Sequence, residues 1–252
     1  MKGYPELALK IIFDFNDALD VFKNKATAYG NLSRLEKQGL IKKVRNNLYA
    51  SINPVTQTAF ASKYQIGSSI NDNAYVSHIS ALEYYGYQNQ VSHICYVSSS
   101  NRFNTFEFEG ITYIRVAIKT KKGVVSPPYT QMLKITGIEK TVIDSIQTIG
   151  SIINLEELIY SLELIPMLDE KKLIEYLEAY NIQALYQKSG YILSLFNGML
   201  KLSESFFVTI QNKMSKGVTY LSEDAKQDGV FISKYQVVVP KWLTERGQSH
   251  EI

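Results

Sequence analysis

Residues 25–51 read KATAYGNLSRLEKQGLIKKVRNNLYAS, and this stretch decides the fold of the N-terminal part of the chain. Ala28, Leu32 and Leu35 recur at the spacing of a single helix face, which predicts an amphipathic helix with these residues turned inward. Asn24 precedes the helix and belongs to the residue types that favour the N-cap position.

A β-hairpin is predicted immediately after this helix. Gly39 ends the helix in the position where glycine commonly ends one. The apolar-rich runs 40–44 and 48–51 then flank Asn46 and Asn47. Because asparagine tolerates the positive φ that tight turns require, the pattern predicts two antiparallel strands joined at this pair.

Two short helices are predicted before this stretch, within residues 5–22. Pro5 suits a first helical position, and Asn16 or Asp17 can cap the second helix. Three helices followed by a β-hairpin are the order of a winged helix-turn-helix. We therefore predict a DNA-binding domain over residues 1–52.

The outward face of the predicted third helix is small, polar and basic. Gly30 on that face would allow the helix backbone to approach DNA, and Arg34 could contact guanine with two hydrogen bonds. Lysines in the hairpin would contact phosphates. The candidate DNA-binding residues are Thr27, Tyr29, Gly30, Ser33, Arg34 and Lys37 in the helix, and Lys42, Lys43, Arg45, Asn46 and Asn47 in the hairpin.

The distribution of charge agrees with a head that binds a polyanion. Residues 1–50 contain nine Lys or Arg against five Asp or Glu, whereas the rest of the chain has 18 against 19. Basic segments of this kind bind nucleic acid, although a solvated helix face gives the same pattern.

The rest of the chain predicts a connector and a larger domain. Residues 53–72 are polar and predict a connector with a short helix, and residues 73–252 predict an α+β domain whose C-terminal part is helical. Its expected elements include a helix over 77–85, a strand at 94–97, a hairpin through Glu109-Gly110 and a last strand at 235–239. The predicted fold class of the whole chain is α+β.

One helix in the middle of the chain carries a start signal. Thr136 and Glu139 have the spacing of a capping box, in which Thr caps the helix and Glu reaches back. Asp144 falls on the face opposite the apolar stripe of this helix. A contact at the domain surface and a solvated position both suit it.

Composition predicts a cytoplasmic protein without cofactor or metal. No apolar run approaches the roughly 20 residues that span a bilayer, so no membrane partner is expected. No secretion signal is evident, and Cys95 is the only cysteine, which suits a reducing compartment. His78, His93 and His250 are too scattered to suggest a metal site, and we expect His78 to cap a helix locally.

Three segments together resemble AbiEi-type antitoxins of type IV, abortive-infection toxin–antitoxin systems. They are 31–49 (NLSRLEKQGLIKKVRNNLY), 75–86 (YVSHISALEYYG) and 136–144 (TGIEKTVID). Asn47 stands where that family usually has glycine, and Lys140 where it has arginine. The resemblance implies a repressor that binds repeats in the promoter of its own operon. It also implies an antitoxin that counters a nucleotidyltransferase toxin without a stable complex.

Two other functions remain open from the residues alone. A regulator with a ligand-sensing C-terminal domain is compatible with the sequence. A metal-dependent nuclease would need carboxylates and a lysine on adjacent strands; Glu107 and Glu109 alternate correctly, but the paired strand lacks Glu-x-Lys. Gly67-Ser68 and Gly150-Ser151 lack the Asp-x-Asp of a nucleotidyltransferase. We therefore expect a chain that is not an enzyme and has no catalytic residues.

Overall fold

The computed structural model describes residues 3–248, with side chains as far as residue 245, and its fold is α+β. Contacts divide the chain into two compact units. Unit 1 comprises residues 3–76, 92–118 and 125–135, and unit 2 comprises 77–91, 119–124 and 136–248. The units therefore interleave along the chain, whereas the sequence suggested consecutive domains that meet at a connector over 53–72. His250, one of the three histidines considered above, lies outside the described residues.

The first part of unit 1 alternates helices with a small sheet. Its elements are α1 (Tyr4–Ala8), β1 (Ile12–Asp14), α2 (Phe15–Phe22), α3 (Lys25–Lys37), β2 (Ile41–Arg45) and β3 (Leu48–Ser51). The three strands form an antiparallel sheet in the order β1-β3-β2. Leu7, Phe13, Leu32 and Leu35 are buried in one shared core. The helices therefore form one layer that packs against the sheet.

The start of the chain differs from the prediction in two details. Residues 12–14 form a strand rather than continuing a helix, because Ile12 pairs with Ala50 across β3. The cap of α2 is Asp14, and neither Asn16 nor Asp17 takes this position. The Asp14 side chain accepts a hydrogen bond from Asp17 N, and the Asp17 side chain accepts one from Asp14 N.

The second part of unit 1 is a six-stranded sheet with one helix against it, and two of the strands extend by one residue each across the unit boundary. The elements are α4 (Lys63–Ser68), β4 (Tyr75–Val76), β5 (Ile94–Ser98), β6 (Phe106–Phe108), β7 (Ile111–Val116), β8 (Val124–Val125) and β9 (Ile135–Thr136). The strand order is β6-β7-β5-β4-β9-β8. The predicted hairpin is confirmed: β6 and β7 are antiparallel, and Glu109 and Gly110 both have positive φ, 48° and 75°. Cys95 is buried in β5.

Unit 2 is mainly helical and carries a second small sheet. Its elements are α5 (Ile79–Tyr84), α6 (Ile138–Gln147), α7 (Leu155–Leu164), α8 (Glu170–Tyr180), α9 (Gln183–Ser194), α10 (Asn197–Leu200), α11 (Glu204–Lys213), β10 (Thr219–Tyr220), β11 (Gly229–Ile232), β12 (Val237–Pro240) and α12 (Lys241–Gln248), with 3-10 turns at Asp224–Lys226 and Ser233–Tyr235. The sheet has the order β10-β12-β11. The C-terminal part of the chain is mainly helical, as the sequence predicted. Within residues 3–248, no helix has the length and apolar character needed to cross a bilayer.

The predicted capping box at the start of α6 is wrong by one residue. Gly137 is the N-cap, while Thr136 belongs to β9 and its hydroxyl lies 2.7 Å from the Thr141 hydroxyl. The Glu139 carboxylate accepts a hydrogen bond from Asp169 N at 3.2 Å and so supports the start of α8 instead. The side chains that suggested a cap therefore make other contacts, Thr136 with Thr141 and Glu139 with the start of α8.

Gly190 fixes how closely α9 packs in unit 2. A Cβ at this position would lie 2.7 Å from the Tyr235 ring and 2.9 Å from Ile210 of α11. Real Cβ contacts are not that short, so only glycine permits this approach.

Candidate nucleic-acid interface

Helix α3 carries the inward stripe that the sequence predicted. Ala28, Leu32 and Leu35 are buried, and the Asn24 side chain accepts a hydrogen bond from Thr27 N at 3.1 Å. The helix ends at Lys37, and Gly39 has a φ of 70°. The stripe therefore fixes which side of α3 meets solvent, and the two end signals fix where the helix begins and ends.

The predicted contact residues of α3, here called the α3 face, are all exposed. They are Thr27, Tyr29, Gly30, Ser33, Arg34 and Lys37. The Tyr29 ring is 53% exposed and stacks on Phe15 with the ring centroids 4.3 Å apart. The face thus combines two cations, the hydroxyls of Thr27 and Ser33, and a tyrosine ring that stacks on α2.

Gly30 has no packing reason to be glycine. A Cβ built at this position meets no atom within 4 Å, and its backbone φ is not positive. Glycine in a helix costs roughly 1 kcal/mol relative to alanine. The structure of the free protein therefore does not explain the residue, whereas a close approach by another molecule would.

The β2–β3 hairpin is irregular, and the irregularity determines which of its side chains are buried and which are exposed. The pairing register shifts between Lys43 and Arg45, which marks a β-bulge. Ile41 and Val44 are buried, Lys43 is exposed, and Lys42 and Arg45 are half-buried. The bulge therefore breaks the strict alternation of strand side chains and leaves three cations off the core.

Two of these cations contact other residues of unit 1. Lys42 Nζ lies 2.6 Å from Glu109 Oε1 and donates to the Gln57 carbonyl at 2.6 Å. The Arg45 guanidinium lies over the rings of Phe103 and Phe106, 5.4 and 5.3 Å from their centroids. Both contacts are of a kind that binds a cation within the protein.

The turn of the hairpin adopts the conformation that the sequence indicated. Asn47 has a φ of 63°, and its side chain accepts a hydrogen bond from Phe15 N at 3.2 Å. Asn46 is exposed. The turn is thus connected to the first residue of α2.

The predicted site residues fall into two groups. The α3 face, Lys43, Asn46 and Asn47 are exposed, whereas Lys42 and Arg45 are half-buried against residues 57–109 of unit 1. Sequence reasoning missed Glu109, Phe103 and Phe106 as part of this surface, because they lie far along the chain from the hairpin. The Glu109-Gly110 turn was visible in the sequence, but nothing there indicated what the carboxylate binds.

Unit 2 contains a buried ion pair. Lys140 and Asp144, one turn apart on α6, form an ion pair with side chains 1% and 3% exposed. The Tyr180 hydroxyl donates to Asp144 Oδ1 at 2.5 Å and lies 3.1 Å from Lys140 Nζ. The sequence suggested that Asp144 either is solvated or makes a contact at the domain surface. The buried ion pair shows that both expectations are wrong. Burial lowers the pKa of Lys140, and Asp144 opposes that shift.

His78 lies in the same electrostatic environment. It precedes α5, yet its side chain makes no capping hydrogen bond, so the expected capping role is wrong. Its Nδ1 lies 2.8 Å from the Ser77 hydroxyl, and its backbone has the unusual φ of 56° and ψ of −139°. Burial lowers the pKa of His78 to about 4; nearby Asp144 opposes this and Lys140 adds to it.

Unit 2 also contains a polar cleft of about 420 Å³ lined by residues of α8, α9 and α11. Tyr186 lies in its wall, and Lys213 and Glu178 form an ion pair there with a distance of 3.3 Å. Such a cleft has the size of a small-molecule site but lacks the apolar lining that most of these sites have.

Comparison with known proteins adds a fold relationship. No protein-family model matches the chain, and no curated protein matches it in sequence. Among solved structures, the chain is similar to the crystal structure of the RV2827C protein from Mycobacterium tuberculosis. The TM-score is 0.66 and the identity 14%, with 94% of this chain and 90% of that chain covered. This likeness shows a shared fold over nearly the whole length of both chains.

Proposed function

We propose that this chain is a DNA-binding transcriptional repressor in which residues 3–52 form a winged helix-turn-helix. In this proposal α3 is the recognition helix and the β2–β3 hairpin is the wing. The order of elements, helix-strand-helix-helix-strand-strand, supports it, as does the excess of cations between Lys23 and Arg45.

The observation that carries the proposal is the outward face of α3. Its side chains are exposed, small or polar around Gly30, and basic at Arg34 and Lys37. A major groove admits a helix whose facing side is narrow and rich in hydrogen-bond donors. Since no packing explains Gly30, close contact with DNA gives this glycine a reason.

The proposal is tested by fluorescence anisotropy of the purified protein with a duplex from its own upstream region. A scrambled duplex of equal length is the control, and both are titrated at about 50 mM and 200 mM salt. We expect preference for the upstream duplex and affinity that falls steeply with salt. Equal, weak binding to both duplexes at low salt would contradict sequence-specific repression.

The antitoxin role is a separate part of the proposal, supported by the sequence resemblance to AbiEi-type proteins. In this role a non-enzymatic chain counters a nucleotidyltransferase toxin encoded beside it. Co-expression with that neighbouring gene product should restore growth, and the two proteins should not co-elute. Arg34→Ala should release repression of the promoter yet still restore growth, because the resemblance assigns toxin neutralisation to the part of the chain after the winged helix.

A ligand-sensing regulator is the second candidate, and the polar cleft in unit 2 favours it. If the cleft binds an effector, a metabolite that raises the Tm of the protein should lose this effect in Tyr186→Ala. The same metabolite should change affinity for the upstream duplex. A metabolite panel without any such shift would leave the cleft as a surface feature and overturn this candidate.

A further inference from the structure

Glu109 uses both of its carboxylate oxygens within unit 1. Oε1 lies 2.6 Å from Lys42 Nζ, and Oε2 accepts a hydrogen bond from Ala59 N at 3.0 Å. The Lys42 side chain is 41% exposed and that of Glu109 26% exposed. The pair is thus at the surface, where a competing anion from solution could reach the ammonium group.

The turn itself does not explain why residue 109 is glutamate. Its φ of 48° is a conformation that asparagine, aspartate and glycine adopt at lower cost. Their side chains are all shorter than that of glutamate, which extends to Lys42 and Ala59. The residue is therefore explained by what its carboxylate binds.

Arg45 also contacts residues that lie far along the chain from the hairpin. Its guanidinium lies against Phe103 and Phe106, and the Phe106 ring in turn stacks on Tyr113 at 4.8 Å. Lys43, between the two engaged cations in sequence, is exposed. Of the three cations in β2, the structure thus engages two and presents one.

We propose that Glu109 is a positioning residue that withholds Lys42 from the DNA backbone. This inference rests on the proposed DNA-binding function and deepens it. A carboxylate presents the same kind of oxygen to an ammonium group as a phosphate does, so the two compete for Lys42. A lysine balanced by an adjacent glutamate neutralises no phosphate, and the affinity of the site is held below what its cations allow.

The experiment compares Glu109→Gln with the wild-type chain in titrations of a generic duplex between about 50 mM and 200 mM salt. Glutamine keeps an oxygen that accepts from Ala59 N and removes only the charge. Glu107→Gln is the matched control, because Glu107 is exposed, lies two residues away and loses the same charge. A third protein carries Glu109→Gln together with Lys42→Met.

We expect Glu109→Gln to steepen the dependence of log affinity on log salt by about 0.9, the value for one additional phosphate contact. At 0.1 M salt this corresponds to roughly fivefold to tenfold tighter binding. Lys42→Met in the same chain should abolish the gain, and Glu107→Gln should show much less of it.

Equal gains from Glu109→Gln and Glu107→Gln would overturn the inference, since net charge alone would explain them. An unchanged slope in Glu109→Gln would overturn it as well. No binding by any of the proteins would overturn the proposed function itself. Should Glu109→Gln not fold, Lys42→Met alone decides: an unchanged slope supports the inference, and a slope shallower by about one contradicts it.

Discussion

Arg34 and Lys37 of α3 are exposed to solvent, whereas Lys140 of α6 is 1% exposed and paired with Asp144. The first two cations contribute little to the stability of the fold, since water already solvates them. The third has lost its water and depends on Asp144 and Tyr180. Exposed charges can therefore serve binding, while buried ones must first be satisfied inside the protein.

The sharpest way to break this comparison is to remove Asp144. Asp144→Ala leaves the ammonium of Lys140 buried without its carboxylate, and we expect a loss of about 3–5 kcal/mol in the free energy of unfolding. Urea denaturation monitored by circular dichroism measures it. The double change Lys140→Met with Asp144→Leu should recover most of the loss.

The exposed pair Lys122–Glu175, with a distance of 2.8 Å, is the matched control for the buried pair. Glu175→Ala should cost less than about 1 kcal/mol, because solvent screens exposed ion pairs. Similar losses for Asp144→Ala and Glu175→Ala would contradict the distinction between the two kinds of charge.

Acid should destabilise unit 2 through His78. The pKa of this group is about 4 in the folded chain and near 6.5 when it is solvated, so the unfolded chain binds the extra proton between those values. Its contribution is complete above about pH 6.5 and is lost as the pH falls towards 4, by roughly 3 kcal/mol in total. Urea denaturation across this range measures the loss.

His78→Asn tests the assignment, because asparagine does not titrate in this pH range. Whatever its absolute stability, this variant should show a flatter dependence of unfolding free energy on pH between 4 and 6.5. The same slope in both proteins would assign the acid sensitivity to other groups.

On the exposed side of the comparison, Arg34 should affect binding and leave stability unchanged. Arg34→Ala should weaken binding to the upstream duplex by about 1–3 kcal/mol and relax base preference at one position. Anisotropy with duplexes changed one base pair at a time measures both. Lys216→Ala in unit 2 removes the same charge from another exposed position. A comparable loss there would make the effect of Arg34 one of net charge.

Lys43 should have a smaller and less specific effect than Arg34. As an exposed cation of β2, it is suited to a phosphate, so Lys43→Ala should weaken binding to all duplexes alike and reduce the salt slope by about one. Titrations of upstream and scrambled duplexes at several salt concentrations measure this. A change in sequence preference would instead place Lys43 against a base.

The smallest expected change is in Gly30. Because a Cβ there meets open space, Gly30→Ala should raise the free energy of unfolding by up to about 1 kcal/mol. The same change should weaken DNA binding if the α3 backbone lies close to the groove. A more stable protein with unchanged affinity would show that DNA does not approach Gly30.

Local signals in the sequence were sufficient for α3 and both hairpins. The stripe Ala28, Leu32 and Leu35, the cap at Asn24 and the positive φ of Asn47 all follow from neighbouring residues. These features depend on backbone preferences and helical or strand periodicity, which act over a few residues. These features can therefore be predicted from neighbouring residues without knowledge of any tertiary contact.

The features that the sequence did not predict depend on partners far along the chain. β1 exists because Ile12 pairs with Ala50, and Asp144 accepts a hydrogen bond from Tyr180, 36 positions later in the chain. The Lys42–Glu109 pair joins residues 67 positions apart. The exposed α3 face could be predicted, whereas the division of the hairpin cations into engaged and exposed could not.

The interleaved units also set an order of events during synthesis. When residue 52 has been made, β1 to β3 are complete, yet the last segment of unit 1 ends at Ile135, after segments of unit 2 have already been made. At about 5–20 residues per second, the ribosome needs roughly 4 to 17 seconds for the 83 residues between those points. During that interval Lys42 has no Glu109 until residue 109 emerges, so a nascent chain would present its basic hairpin without the carboxylate that later engages it.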